Sequence, residues 1–368
     1  QTLTFTLSNT NNALFSAQPT LNLDGTGDLT YTPAQNKHGL ATVTVTVNDG
    51  GGIANGGIQS VSETFTINVT PINDAPELST TGGKLTGGGG NAFGTAEFGS
   101  ISEDDRTNDG DPVSSFLDAN SATDVELGTS TQVGSKITGS FATGVAITSV
   151  DNTKGTWQFS VNGPADGNFV DFGDVEPQFS RLLDGGNPLH RIRFVPNTNF
   201  NTEEGSPASG PILIKYRAYD GSDKKTPGTG TNGVADTRVR GGSTPFSLGE
   251  VTKGIRVTSV NDQPRSILKS VPALLEDAGA QTITGFAATP QPGGKVASPA
   301  ADLESGQTFT VTVTNDNNSL FSAQPAIATD GTGNLTFTPA ANRNGTATVT
   351  VVLRDSGGTA NNGIDTLT

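Results

Sequence analysis

The chain carries an internal duplication, and nothing else in it constrains the fold as strongly. Gln1–Ser62 aligns without gaps on Gln307–Thr368, with more than half of the paired positions identical, bringing Phe15 onto Phe321, Pro33 onto Pro339 and Asp49 onto Asp355. A repeat of this length is one structural unit that buries a core of its own or against its neighbours. The first copy continues into ETFTINVTPINDAPEL, which the second lacks, while the second has an upstream half that the first lacks. The stretch between them ends in GIRVTSVNDQP and so closes on the same signature as FTINVTPINDAP. These boundaries divide the 368 residues into 1–76, the C-terminal part of a module, 77–262, a longer module with an insertion over 164–201, and 263–368, a module lacking its last strand.

Hydropathy within the repeats alternates residue by residue. Ala41–Val47, ATVTVTV, sets valines on one face and threonines on the other, which is the pattern of a half-buried antiparallel strand. Thr2–Leu7, Thr64–Val69, Thr156–Val161, Ile212–Tyr219, Gly254–Val260, Phe309–Val313 and Thr346–Val352 read the same way, and Asp-Gly pairs at 24, 49, 184, 220 and 330 mark turns between strands. The expected fold is all-β, a linear array of serial cadherin-like or immunoglobulin-like antiparallel β-sandwiches.

Composition narrows the partners. With 36 acidic against 21 basic residues the net charge is -15, so nucleic acid and anionic membrane surfaces are poor partners, no nucleic acid is expected, and cations are favoured. The chain contains no Cys, which removes disulfides, thiolate catalysis and zinc-thiolate sites and leaves packing or hard metal ions to hold the fold. No apolar run is long enough for a membrane span, so no membrane insertion is expected of this segment. From the absence of Met and the strand-like first residues, an excerpt of something longer is expected.

The acidic residues recur at corresponding places. In a sandwich whose strands run alternately up and down, the leading linker and two later loops share one end of the domain. For the middle module that set reads Asn73 and Asp74, Glu103 and Asp104, Asp124 and Glu126, and Asp220. For the last module it reads Asn261 and Asp262, Glu276 and Asp277, Asp302 and Glu304, and Asp355. So many carboxylates at one junction would raise one another's pKa values unless a cation neutralised them. An oxygen-only donor set without His or Cys matches calcium, which takes six to eight oxygen ligands, better than magnesium.

These residues resemble the bacterial cadherin-like tandem repeats of very large surface proteins and adhesins. The resemblance rests on VTPINDAPEL and VTSVNDQP as linkers, LLEDAG and ISEDD at module starts, DLES and DVELG, and NLTFTPAANRNGTATVTV before the final hairpin, and it spans nearly the whole chain. It implies Ca2+ bound between successive domains by the linker Asn-Asp, the early Glu, the Asp-x-Glu pair and the Asp of the late hairpin. It also implies a non-enzymatic, calcium-rigidified extracellular stalk or filament segment at the bacterial cell surface, acting in adhesion, whose partners are calcium ions and neighbouring repeats of the same chain. Two other roles compete with it: glycan binding by the middle domain through its insertion, and lateral packing with other copies as a filament or surface-layer subunit.

Other signals carry less. Asp105–Asp111, DRTNDGD, has Thr107 and Phe116 where an EF-hand needs ligands, which leaves only a local calcium loop of another kind. His38 and His190 have no triad partner in sequence, and Trp157 reads as core.

Overall fold

A computed structural model describes residues 2–23, 26–78, 96–117, 122–124, 132–133, 136–137, 144–203, 210–228, 233–287 and 306–368. Its strands follow from the alternation. In the first module Thr4–Asn9 (β1), Gly39–Asn48 (β4) and Ser60–Val69 (β5) form one sheet in the order β1-β4-β5, and Phe15–Leu21 (β2) pairs with Leu29–Pro33 (β3) in another. The inward positions Leu14, Phe15, Ala41, Val43 and Ile67 make a small core between them. All of these pairings are antiparallel.

The last module repeats this register. Phe309–Asn315 pairs with Val349–Asp355, and Phe321–Ile327 with Leu335–Pro339, through equivalent residues. Asn36 and Asn342 lie in the turns that follow Thr32-Pro33 and Thr338-Pro339 and adopt φ of 57° and 55°. Asn tolerates this left-handed region better than other side chains. Asn199 of the middle module does the same at 56°, so all three modules share this turn.

The middle module is the largest. One sheet orders 234–235, 180–184, 144–150, 212–219, 251–255 and 96–97; the facing sheet orders 170–171, 155–160, 191–196 and 111–112. Between them lies one core built on Trp157, Phe159, Phe194, Val145, Ile147 and Ile214. Trp157 is fully buried, as its place in a strand predicts. Lys253 is buried in the same core, its Nζ 4.2 Å from the Phe98 ring centre and 4.5 Å from that of Phe116, which offsets part of the cost of burying an ammonium.

The span 164–201 corrects the sequence reading. It is no appended loop: Ser180–Asp184 pairs with Gly144–Val150, and Arg191–Pro196 pairs with Gly155–Ser160, so both strands belong to the sandwich itself. The extra length instead follows Tyr219, where Ala235 and Phe246 pack on Ala146, Leu182 and Tyr219 and bury the outer face of the larger sheet.

Gly254–Val260 is divided into Val251–Ile255 and Val257–Thr258, and two upstream strands run parallel to these: Ala96–Glu97 beside Lys253 and Gly254, and Ile101–Ser102 beside Val257 and Thr258. A parallel partner ends where the strand beside it ends. This carries the start of the module to its exit.

Candidate metal centres at the module seams

At the first seam, the linker residue Asn73 donates from Nδ2 to Asp220 Oδ2 at 2.9 Å and to the Thr244 carbonyl at 3.2 Å. Asp220 is buried at the end of strand Ile212–Tyr219, and its Oδ1 accepts from the Ser222 amide at 2.7 Å. Asp74 is half-buried beside Asn73. Ala122–Thr123 pairs with Glu77–Leu78, which carries Asp124 to the same linker. Asn73 and Asp220 are in direct contact, Asp74 is next to Asn73 in the chain, and Asp124 follows the strand paired with Glu77–Leu78; Glu126 lies outside the described residues.

The second seam reproduces the construction. Asn261 donates from Nδ2 to Asp355 Oδ1 at 3.1 Å and to the carbonyls of Gly358 and Ile364 at 3.1 and 2.9 Å, and its Oδ1 accepts from Gln307 Nε2 at 2.7 Å. Side-chain space here is tight, since a Cβ at Gly357 would overlap the Asn261 amide. Asp355 is 5% exposed, and its Oδ2 is buried with no hydrogen-bond partner. A buried carboxylate oxygen without a donor is costly, and a cation would satisfy it.

Glu103 and Asp104 are the correction. The sequence grouped them with Asn73 at the first seam, but the parallel pairing of Ile101–Ser102 with Val257–Thr258 delivers them to the second. Glu103 is 4% exposed and accepts from the Val260 amide at 2.7 Å. Burial pushes its carboxyl up to about 7, with Asp262 and Asp104 adding to the rise against hydrogen bonds from Val260 and Asn201. Asp262 accepts a hydrogen bond from Asn199 Nδ2. Glu203 joins them, its Oε1 accepting from the Ser259 amide at 3.0 Å.

Glu276 and Asp277 move in the same sense. Both are exposed, and Asp277 Oδ1 accepts from the Asn342 amide at 3.3 Å. That turn adjoins the start of strand Val349–Asp355, so Glu276 and Asp277 sit at the opposite end of the module from Asp355. They are equivalent to Glu103 and Asp104 and face the module's exit. Asp302 and Glu304 lie outside the described residues.

Sequence reasoning missed Asn201 and Glu203. The signal was the aligned turn, TPAQNKHG against VPNTNFNTEE against TPAANRNG, in which the middle copy alone carries carboxylates. Elsewhere, the carbonyls of Asn108 and Asp109 in the DRTNDGD loop accept from Arg193 and Arg191 at 3.2 and 2.6 Å. His190 is buried, with Nδ1 accepting from the Asp184 amide at 3.0 Å, and burial lowers its pKa. Among the described residues, no three acidic or histidine side chains converge closely enough to hold a metal by themselves.

Residues 1–70 match the family model of the bacterial Ig domain, and Gln307–Thr368 duplicates most of that segment. The first module is similar to a bacterial Ig domain. Among solved structures, this repeat protein is similar to human mucin-like protocadherin EC1-2, at 14% identity over 70% of this chain and 84% of that one, with a TM-score of 0.33. It is similar also to protocadherin gamma B7 extracellular cadherin domains 1-4, at 13% identity over 96% of this chain and 63% of that one, TM-score 0.28. Zebrafish RET cadherin-like domains 1 to 4 match at 9% identity over 96% and 62%, TM-score 0.25. No curated protein matches the sequence. Among the described residues, no helix of the repeat protein is long and apolar enough to cross a membrane.

The linker asparagine is expected to hold each seam even without metal. Asn261→Ala strips donors from Asp355 Oδ1 and from the Gly358 and Ile364 carbonyls. Asp355 Oδ1 keeps the Gly357 amide at 3.0 Å, but losing the other pairings costs about 1–3 kcal/mol, read as a lower unfolding midpoint of the last module in denaturant.

Proposed function

We propose that this repeat protein is a non-enzymatic extracellular spacer, part of a large bacterial surface protein acting in adhesion, whose seams are stiffened by calcium. The observation that carries this reading is the buried, donorless Oδ2 of Asp355, facing a seam where linker and module already meet through Asn261. The donor set fits a hard cation: carboxylates, amide oxygens and backbone carbonyls, with no thiol in the chain. Asp355, Asp262, Glu103 and Glu203 would hold the ion at the second seam, with Asp104 adding charge nearby. Asp220, Asp74 and Asp124 would do so at the first. Asp302, Glu304 and Glu126 are proposed to complete these sets, and Glu276 and Asp277 to serve the seam beyond the last module.

Calcium supplies positive charge that ties carboxylates of successive modules together. Without it, the linkers Thr70–Pro76 and Ser259–Pro264 hold like charges on both sides and hinge more freely. Extracellular modules of this kind bind calcium in the range of about 10⁻⁴–10⁻³ M, so stiffness would track the surrounding medium.

Small-angle scattering with about 5 mM calcium, several-fold above that range, and again with excess chelator tests the proposal. The expected result is a longer maximum dimension and a narrower distance distribution with calcium. Identical profiles would defeat it.

A further inference from the structure

The two seams are built alike but are not equally satisfied, and the difference singles out a side chain that no motif marks. At the first seam both carboxylate oxygens of Asp220 are engaged, Oδ2 by Asn73 Nδ2 at 2.9 Å and Oδ1 by the Ser222 amide at 2.7 Å. At the second, Asp355 Oδ1 accepts from the Gly357 amide at 3.0 Å and from Asn261 Nδ2 at 3.1 Å, while the buried Oδ2 has no donor among the described residues. Gln307 Oε1 is in the same condition, buried and without a donor. Each such oxygen carries an unmet desolvation cost.

Strand geometry brings the two residues together. Phe309 lies opposite Asp355 in the antiparallel pair, and the Thr308 amide donates to Ser356 Oγ at 3.1 Å, so continuing that register sets Gln307 opposite Gly357. With a side-chain period of two, Gln307 and Asp355 are diagonal neighbours on one face, a separation that a long side chain spans. Glycine keeps that face open. A Cβ at 357 would overlap the Asn261 amide and stand 2.6 Å from Gln307 Nε2, so both amides fill the room it leaves.

The hydrogen bonds also fix which way each amide faces. Asn261 Nδ2 has three acceptors, Asp355 Oδ1 and the carbonyls of Gly358 and Ile364, so its Oδ1 must face the other way, where it accepts from Gln307 Nε2 at 2.7 Å. Reversing Gln307 would set two oxygens against each other. Its Oε1 is thus an acceptor by necessity, close to a carboxylate oxygen in the same state.

We infer that Gln307 is a ligand of the cation at the second seam, supplying a neutral amide oxygen beside the Asp355 carboxylate. This rests on the calcium reading given above and adds to it a residue outside the acidic motifs. Calcium takes amide oxygens together with carboxylates, and the number of charged ligands tunes its affinity. One side chain then acts at both ends: Nε2 orients the linker Asn261, and Oε1 meets the ion.

The test uses the full 368-residue chain, natural and with Gln307→Met, Gln307→Glu or Asp355→Asn. The readout is the calcium concentration that half-protects the Gly357 and Ile364 amides from hydrogen exchange, since these donate to Asp355 Oδ1 and to the Asn261 carbonyl. Gln307→Met removes both polar atoms at similar length and should raise that concentration about tenfold. Gln307→Glu should lower it, because a charged oxygen replaces a neutral one at the ion. In chelator the same variant should be less stable than the natural protein, since a second carboxylate then faces Asp355 without a counter-ion. A purely hydrogen-bonding role reverses the calcium result for Gln307→Glu, because Asn261 loses its donor and the linker its orientation. That reversal, or a Gln307→Met protein that responds to calcium as the natural one does, would overturn the inference. Asp355→Asn separates the two levels: if it too responds like the natural protein, the calcium reading of this seam falls and Gln307 with it, whereas a weakened response in Asp355→Asn alone removes only Gln307.

Discussion

Glu103→Gln is expected to change the stability of the protein in opposite directions depending on calcium. Burial, with Asp262 and Asp104 nearby, lifts the Glu103 carboxyl from 4.5 to about 7, so the folded chain holds this proton more tightly than the unfolded one. The stability linked to that proton is fully present below pH 4.5 and is lost as pH rises through 7. Over that window the metal-free protein should lose at most about 3 kcal/mol from this group. Gln keeps an oxygen for the Val260 amide but carries no charge, so the variant should show no such decline and be the more stable form above neutrality. Calcium reverses the comparison, because a carboxylate ligand must be ionised and its charge is then neutralised by the ion. With calcium in excess at pH 8 the natural protein should be the more stable, and the variant should bind calcium more weakly at the second seam. Denaturant unfolding from pH 4 to 8, with calcium and with chelator, reads both signs at once. Equal calcium binding by the two proteins would remove Glu103 from the seam's ligands, and a flat profile in the natural protein would remove the strained carboxyl.

Much of this architecture was legible in the sequence, and the failures have physical reasons. Alternation located β4, β5 and Ile212–Tyr219 because a half-buried sheet needs opposite faces of opposite polarity, and the duplication fixed Asp355 by its likeness to Asp49. Direction is invisible to alternation. Ile101–Ser102 reads the same whether it runs with or against its neighbour, so its parallel course beside Val257–Thr258, and with it the true seat of Glu103, had to come from the structure. The strands Ser180–Asp184 and Arg191–Pro196 read as an insertion because the middle module is longer than its neighbours, although Val195-Pro196 aligns with the Thr32-Pro33 that ends β3. Conversely, the Gly- and Ser-rich sequence after Tyr219 gives no period, although Ala235 and Phe246 there pack on Ala146, Leu182 and Tyr219. Glu203 was overlooked for a simpler reason. The shared turn marked by Asn36, Asn199 and Asn342 holds a carboxylate in only one of its three settings.

Trp157→Ala should unfold the middle module selectively and slacken the second seam with it. Trp157 is fully buried, with ring centres of Phe98 and Phe194 at 5.5 and 5.2 Å, and removing so large a side chain from a packed core costs about 3–5 kcal/mol. Its Nε1 is buried without a hydrogen-bond partner, so Trp157→Phe removes an unpaired donor while keeping a ring, and should cost about 1.5 kcal/mol or less. The contrast separates packing volume from the indole nitrogen. Damage should also reach the calcium ligands, because Phe98 holds the Lys253 ammonium on the strand Val251–Ile255, and that strand leads through Val257–Thr258 to Val260 and the Glu103 carboxylate. Circular dichroism melts would follow the loss of the middle module. Hydrogen exchange at Ser259, Val260 and Ile364 would report the seam, whose amides donate to Glu203, Glu103 and the Asn261 carbonyl. Faster exchange at Ser259 and Val260 in the Ala variant, with the Phe variant unchanged, is the expected outcome. Seam amides that keep their protection while the core melts would show that the linker is held by the last module alone, through Asn261 and Asp355.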